Sequence, residues 1–335
     1  MFDVGVSAYL GLPDYSKEEV FSYLNQLPKL GIHHVFSSFH MGEATNSEEI
    51  LRELVNVCEK NDIKLTLDIS KKELSDYLIK SSIYSLRLDY GFTEDDIIEL
   101  SKIRIIELNA STIKEDKILR LISNGLEVRN TRFSFNFYPK PYTGHDLSFV
   151  CKQTKMLKSY DFYVAAFIPS MKNFRPPLYL GLPTVENHRK LDLDISIEEL
   201  KLCGLDGIYY GDSLIEKEEI ELLAKHNCDE LLVKLESNVE SLYDKNIRNR
   251  SDGNSLLIRI NGLRIDGNIE PNNTNNLSRY DVTVDNKLLR RYMGEVNIVL
   301  KDLANDGSIN VIGRVISSDF IIENIKESRL FRFIK

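Results

Sequence analysis

Basic residues are in short supply in this sequence: 43 lysines and arginines stand against 51 aspartates and glutamates, a net charge of -8. That balance argues against nucleic acid as the main partner, because gripping a phosphate backbone needs a positive surface. A small phosphorylated ligand stays open, since it needs only a few local donors. Cysteine is sparse as well. Cys58, Cys151, Cys203 and Cys228 lie far apart without a CxxC pair, so neither a zinc site nor a disulfide framework is expected, and all four read as buried free thiols in a reducing compartment. No run approaches the roughly 20 apolar residues that span a bilayer. The start, MFDVGVSAYLGLP, lacks the basic opening and long apolar core of a secretion signal. The chain reads as cytoplasmic, with no membrane partner.

Several chemical signatures are missing too. The histidines at 33, 34, 40, 145, 188 and 226 show neither HxH nor HExxH spacing, so no metal is expected. There is no GxSxG elbow for a serine hydrolase, and no cofactor motif. SAYLGLP, after the first strand-like run, is not the glycine-rich phosphate turn of a doubly wound sheet.

What is present is ordinary for a protein with a substantial core: 335 residues, 42% hydrophobic and 28% charged, enough for one large domain or a large and a small one. The first two thirds alternate between strand-like and helical patterns. Strands are expected at Asp3–Tyr9, His34–His40, Lys64–Ser70, Ser85–Tyr90, Ile103–Ser111, Arg132–Pro139, Asp161–Pro169 and Gly207–Asp212. Between most of them lie segments of period near 3.6, such as SKEEVFSYLNQLPKLG and NSEEILRELVNVCEKN, with Ser16 and Ser47 as capping hydroxyls and Gly31 as a helix end. Eight such units predict a (β/α)8 barrel over residues 1–228, in preference to an open doubly wound sheet. From Glu230 onward short strand-like runs (LLVKL, SLLIRI, YDVTVD, GEVNIVL, INVIGRVI, FRFI) follow one another without long helices, which predicts a small β domain over 229–335.

A barrel of this kind carries its chemistry at the C-terminal ends of its strands. Polar residues gather there: Ser7 and Tyr9, Ser38 and His40 with Glu43 beyond, Asp68, Arg87 and Asp89, Glu107 and Asn109, Asn136 and Tyr138, and Asp212. Residues two apart share a face of a strand. Arg87 with Asp89, Glu107 with Asn109 and Asn136 with Tyr138 are such pairs, flanked by Leu86, Leu88, Ile106, Leu108, Phe135 and Phe137, which are expected to face the helices. Structural readings compete: Arg87–Asp89 as an ion pair stiffening the barrel mouth, Asp68 as a cap for a helix near Lys71, His40 as a buried histidine satisfied by its neighbours. Glu107 between two apolar residues is costly to bury without a partner or a task. Carboxylates with amide and hydroxyl neighbours fit glycoside hydrolysis. They also fit an isomerase or aldolase acting on a phosphosugar, though no inward lysine is placed for a Schiff base, or a non-catalytic sugar-binding protein.

The motifs RLDYGF (Arg87–Phe92), IELNAS (Ile106–Ser111), NFYPKPYTG (Asn136–Gly144) and GLPTVENHR (Gly181–Arg189) together resemble the MupG-type 6-phospho-N-acetylmuramidases over essentially the whole chain. The resemblance implies a (β/α)8 barrel followed by a cyclophilin-like β-barrel domain. It implies hydrolysis of the β-1,4 bond of N-acetylmuramic acid 6-phosphate–N-acetylglucosamine in the cytoplasm during bacterial peptidoglycan recycling. The partner is then a phosphorylated amino-sugar disaccharide. The matched motifs place Asp89, Glu107, Asn109, Asn136, Tyr138 and His188 at the site, and Arg87, Lys140, Arg189 and, in the second domain, Arg279 become anion partners. Glu107 is expected as general acid, with Asp68 or Asp89 as nucleophile or base or as the group that orients the acetamido function.

Overall fold

The computed structural model describes residues 1–39, 48–252, 254–327 and 329–335, and they divide into two compact units, Met1–Asn227 and Cys228–Lys335. In the first unit eight parallel strands run in order around a closed barrel: β1 (Asp3–Ser7), β2 (His34–Ser38), β3 (Lys64–Ile69), β4 (Ser85–Leu88), β5 (Ile106–Asn109), β6 (Thr131–Ser134), β7 (Tyr163–Ile168) and β8 (Gly207–Ser213). Pairing of Asp3, Val4 and Gly5 with Gly207, Ile208 and Tyr209 closes the ring, so the open-sheet alternative falls. The helices α1 (Lys17–Gln26), α2 (Glu48–Lys60), α3 (Asp76–Lys80), α4 (Glu94–Ile103), α5 (Glu115–Ser123), α6 (Leu147–Lys158), α7 (Leu193–Leu202) and α8 (Lys217–Lys225) follow the strands in turn.

Local chemistry sets the helix ends. Ser16 and Glu19 form a reciprocal capping box at the start of α1, Thr93 and Asp96 another at α4, and Gly31 ends the first helical stretch at φ 75°. Ser47 lies outside the described residues. The helix after β3 starts at Asp76 with Ser75 as its cap, so Asp68 is not a helix cap. One glycine has a packing reason: a Cβ on Gly5 would stand 2.5 Å from the ring of Tyr209 on the neighbouring strand. Its absence lets that ring join Tyr9, Phe36 and Phe167 in the barrel core.

Two expectations about this unit need correction. Cys151 on α6 and Cys203 at the end of α7 are disulfide-bonded, with Cα atoms 4.4 Å apart, and only Cys58 and Cys228 are free thiols. A separation of 52 residues hides such a pair from any spacing rule. The sixth strand is also shorter than its pattern. Pairing ends at Ser134, after which the backbone turns to other partners: Asn136 N–H donates to Ser111 Oγ and Tyr138 N–H to the Pro183 carbonyl.

The second unit contains β9 (Leu231–Glu236), β10 (Arg248–Asn249), β11 (Leu257–Arg264), β12 (Asp281–Asp285), β13 (Glu295–Val299), β14 (Ile309–Ile316) and β15 (Phe331–Ile334), with α9 (Asp319–Lys326). The sheet order is β10-β11-β13-β12-β14-β9-β15. Ile247, one residue before β10, exchanges two backbone hydrogen bonds of 2.9 Å with Phe331 of β15, which nearly closes this sheet into a barrel. Joining the edges in this way leaves few unpaired strand groups for aggregation. Among the described residues no helix is long and apolar enough to cross a membrane.

Candidate active site

Arg87 is the centre of the polar group at the C-terminal end of the first barrel. Strand β4 points it inward, and it is 4% exposed. Its Nη1 donates to Asp68 Oδ1 at 2.7 Å, Nη2 to Asn136 Oδ1 at 2.5 Å and Nε to Ser134 Oγ at 3.0 Å. Asp89 and Glu107 each place an oxygen 3.9 Å from its guanidinium. A buried arginine is tolerated only when charge and donors are both matched, and three carboxylates from three successive strands supply that match.

The three carboxylates differ in access. Asp68 is buried and also accepts from Ser38 Oγ at 3.2 Å. Glu107 is 3% exposed and accepts from Ser134 Oγ at 2.5 Å; burial raises its pKa, against the hydrogen bond from Ser134 and the charge of Arg87. Asp89, just past β4, is open to solvent. Asp68, Arg87, Asp89 and Asn136 line a cavity of about 170 Å3 whose other wall is Phe36, Phe135, Phe137 and Phe167. Glu107 does not line it.

The rest of the expected site splits into scaffold and surroundings. Ser7 Oγ donates to the Tyr210 carbonyl and Tyr9 Oη to that of Gly211, so both hydroxyls tie β1 to β8. Asp212 is fully buried and accepts backbone N–H bonds from Ser170, Arg175 and Leu182 at 2.8–3.2 Å. Burial pushes its carboxyl up to about 6 against those donors. It is the anchor of the long loop after β7. Asn109 Oδ1 accepts from Ser111 N–H and holds the turn after β5. His188 is fully buried against Glu199, 2.9 Å away. His40 and Glu43 lie outside the described residues.

Arg189 does not present itself to an anion. Its Nε and Nη2 bond Glu186 at 2.7 and 3.0 Å, Nη1 reaches the carbonyls of Leu180 and Gly181, and Nη2 that of Tyr138. Glu186 accepts in turn from Gly144 N–H at 2.8 Å, and the Arg189 hydrogen bond pulls its pKa down to about 2. The motifs Asn136–Gly144 and Gly181–Arg189 are therefore one clamp that fixes the loop after β6. Lys140 is exposed on that loop. Arg279, in the second unit, pairs with Asp319 at 2.8 Å.

The expected facing after Ser134 holds at Asn136, which lines the cavity and bonds Arg87, and fails at Phe137 and Tyr138. Phe137 packs edge-on against Tyr9, Phe36 and Phe167 and lines the cavity. The Tyr138 hydroxyl instead turns to His145 Nε2, 2.9 Å away. Alternation fails there because the chain has left the sheet. Ser134 was missed although it lies on the face of Arg132 and Asn136, where period two would have found it. Arg175, 7% exposed with its guanidinium 4.9 Å from the Tyr9 ring, was missed too; it sits in an irregular loop with no period to read.

A wider depression of about 650 Å3 on the second unit lies among Arg250, Arg264 and Glu295. Its cations are already engaged: Arg264 by the carbonyls of Arg291 and Met293, Arg250 by Glu295. Among the described residues no group of three or more His, Cys, Asp or Glu is placed to hold a metal ion.

Comparison with known proteins follows the same division. Residues 4–225 match the family model described as 6-phospho-N-acetylmuramidase, N-terminal, and residues 230–334 the one described as 6-phospho-N-acetylmuramidase, C-terminal. A conserved protein of unknown function from Enterococcus faecalis is similar at 27% identity and a TM-score of 0.76, covering 99% of this chain and 96% of its own. An uncharacterized B. cereus protein is similar at 22% identity and a TM-score of 0.87 over the full length of both chains, a likeness of fold alone. No curated protein matches. With both family models together spanning nearly every residue, this chain belongs to the 6-phospho-N-acetylmuramidase family, a family of glycosidases whose name implies a phosphorylated muramyl substrate.

Proposed function

We propose that the protein hydrolyses the β-1,4 bond of N-acetylmuramic acid 6-phosphate–N-acetylglucosamine, in the cytoplasm, as a step of bacterial peptidoglycan recycling. In this reading residues 1–228 form the catalytic domain and residues 229–335 the cyclophilin-like one. The observation that carries it is the shared cavity: Asp68 and Asp89 line one space at the C-terminal face of the barrel with Arg87 between them. Two carboxyl groups at one glycosidic bond are what this hydrolysis needs. The phenyl rings of Phe36, Phe137 and Phe167 across the cavity suit the apolar face of a sugar ring.

Asp89, the most open of the three acids, gives its proton to the leaving oxygen as the glycosidic bond breaks. Asp68, held against Arg87 and Ser38, carries the negative charge that faces the developing oxocarbenium centre or activates the water that adds to it. Glu107 sits behind Ser134 and Arg87 and positions them, which moves the acid role from Glu107, where the sequence placed it, to Asp89.

Purified protein incubated with the disaccharide is expected to release N-acetylglucosamine and N-acetylmuramic acid 6-phosphate, detected by mass spectrometry. Asp89→Asn and Asp68→Asn are each expected to lower kcat by about 100-fold or more. Binding of the disaccharide with no product on long incubation would leave a sugar-binding protein instead. Turnover of a free monosaccharide phosphate without glycosidic cleavage would leave an isomerase or aldolase.

A further inference from the structure

A second cavity adjoins the first at Asp89. It measures about 140 Å3 and is lined by Leu88, Asp89, Phe92 and Ile97 on one side and Leu108, Asn109, Thr112, Ile113 and Lys117 on the other. These residues come from the ends of β4 and β5, the loops that follow them, and the first turns of α4 and α5. The cavity is thus a side pocket between the strand ends and the helix layer, on the face where the chemistry lies. Whole small-molecule pockets run to roughly 300–1,000 Å3, so this one has room for a substituent rather than a sugar ring.

Five of its nine lining residues are apolar, and the four polar ones fall in two places. Asp89 forms the side shared with the first cavity, and Asn109, Thr112 and Lys117 form the other polar side. Lys117 is half-buried and makes no ion pair among the described residues. Lys140 likewise makes no ion pair among the described residues but is exposed on the loop after β6, and the other three cations that the sequence had suggested as anion partners are matched. Arg87 is balanced by Asp68, Asp89 and Glu107, Arg189 by Glu186 and carbonyls, and Arg279 by Asp319.

A phosphate dianion fits this pocket poorly. Phosphate sites gather several donors or use a bare helix N-terminus, whereas α5 begins with Glu115 and Asp116 and the pocket offers one cation beside the Asp89 carboxylate. A short alkyl group ending in a single carboxylate fits better: the carbon part against Phe92, Ile97 and Leu108, the charge against Lys117. Resting on the function proposed above, we propose that Lys117 binds the carboxylate of the lactyl ether on the muramyl ring, and that this side pocket makes the enzyme distinguish muramyl from glucosaminyl substrates.

The test compares two chromogenic β-glycosides, of N-acetylmuramic acid 6-phosphate and of N-acetylglucosamine 6-phosphate, which differ only in the lactyl ether. Wild type is expected to favour the first in kcat/KM. Lys117→Met keeps the length and apolar stem of the side chain, and is expected to shrink that preference by about 10–100-fold, the worth of a charge-assisted hydrogen bond, mainly through KM. Lys117→Arg is expected to restore part of it, with thermal melting showing both variants folded. An unchanged preference in Lys117→Met overturns the assignment. So does a loss that is equal on both glycosides, or one that vanishes when the 6-phosphate is removed, which would put the phosphate in this pocket. Wild type that cleaves neither glycoside overturns the proposed function itself, a different outcome from wild type that cleaves both with Lys117 irrelevant to the choice.

Discussion

Arg87 Nη1 stands 2.7 Å from Asp68 Oδ1 where both residues are almost wholly buried, and two further carboxylates face the same guanidinium. Removing one side of such a pair leaves uncompensated buried charge. Arg87→Met is expected to lose about 3–5 kcal/mol of stability in urea unfolding at neutral pH. The charge of Arg87 lowers the Glu107 pKa against the burial that raises it, so without the cation burial raises that carboxyl further and its cost appears as pH rises through the folded value. The deficit against wild type is therefore expected to shrink as pH falls. A deficit independent of pH would show that Arg87 acts by packing alone.

Glu107 separates positioning from acid catalysis. Its pKa is raised, chiefly by burial, so its contribution to stability is complete below the unfolded value and lost as pH rises through the folded one. Glutamine resembles the protonated acid. Glu107→Gln is expected to keep kcat within about tenfold and to remove that loss from the pH–stability curve. A fall of about 100-fold or more would return the acid role to Glu107.

The clamp built on Arg189 is testable without substrate. Arg189→Met strands the carbonyls of Tyr138, Leu180 and Gly181 and the Glu186 carboxylate, at an expected cost of about 3 kcal/mol. Amide exchange over residues 138–145 should accelerate in step. Glu186, depressed to about 2 with Arg189 as the leading cause, contributes stability present above its unfolded pKa and lost as pH falls toward 2. The variant is expected to show a shallower acid limb, and an unchanged limb would dissociate Glu186 from Arg189.

Asp212 organises the loop after β7 through three backbone amides. Asp212→Ala is expected to speed hydrogen exchange at Ser170, Arg175 and Leu182 by about tenfold or more, since each amide loses a charged acceptor. With its pKa pushed from 3.8 to about 6, the wild-type carboxyl contributes most below the unfolded value, and that contribution is lost as pH rises through about 6. The same pH range should be flat for this group in the variant.

Thiol labelling checks the disulfide. Alkylation of the unfolded, unreduced protein is expected to modify Cys58 and Cys228 only, and reduction to expose Cys151 and Cys203 as well. Four labelled cysteines without reduction would refute the bond.

Much of the fold was legible because its cues are local. Alternation along LRLDY and IELN placed Arg87 and Glu107 inside the barrel, since a pleated backbone turns every second side chain to one face. Ser16 and Gly31 marked helix ends through their own hydrogen bonds and φ angle. Local cues failed where the backbone left the sheet, and there Phe137 took the inward place expected of Tyr138.

By itself the sequence determined the eight strands of the barrel, the presence of a second, mostly β part after it, and the acids at the ends of the barrel strands. Only the tertiary structure decided which charges cancel. Arg87 meets Asp68 and Asn136 across 19 and 49 residues, Arg189 meets the Tyr138 carbonyl across 51, and Cys151 meets Cys203 across 52. Neutralisation depends on distances of a few ångströms between residues remote in the chain, because electrostatic attraction and desolvation are both short-ranged inside a protein. Pattern along a chain carries no such distances, and so it named four cations for the substrate's anions, three of which the fold pairs with carboxylates, and passed over Lys117, which makes no ion pair among the described residues.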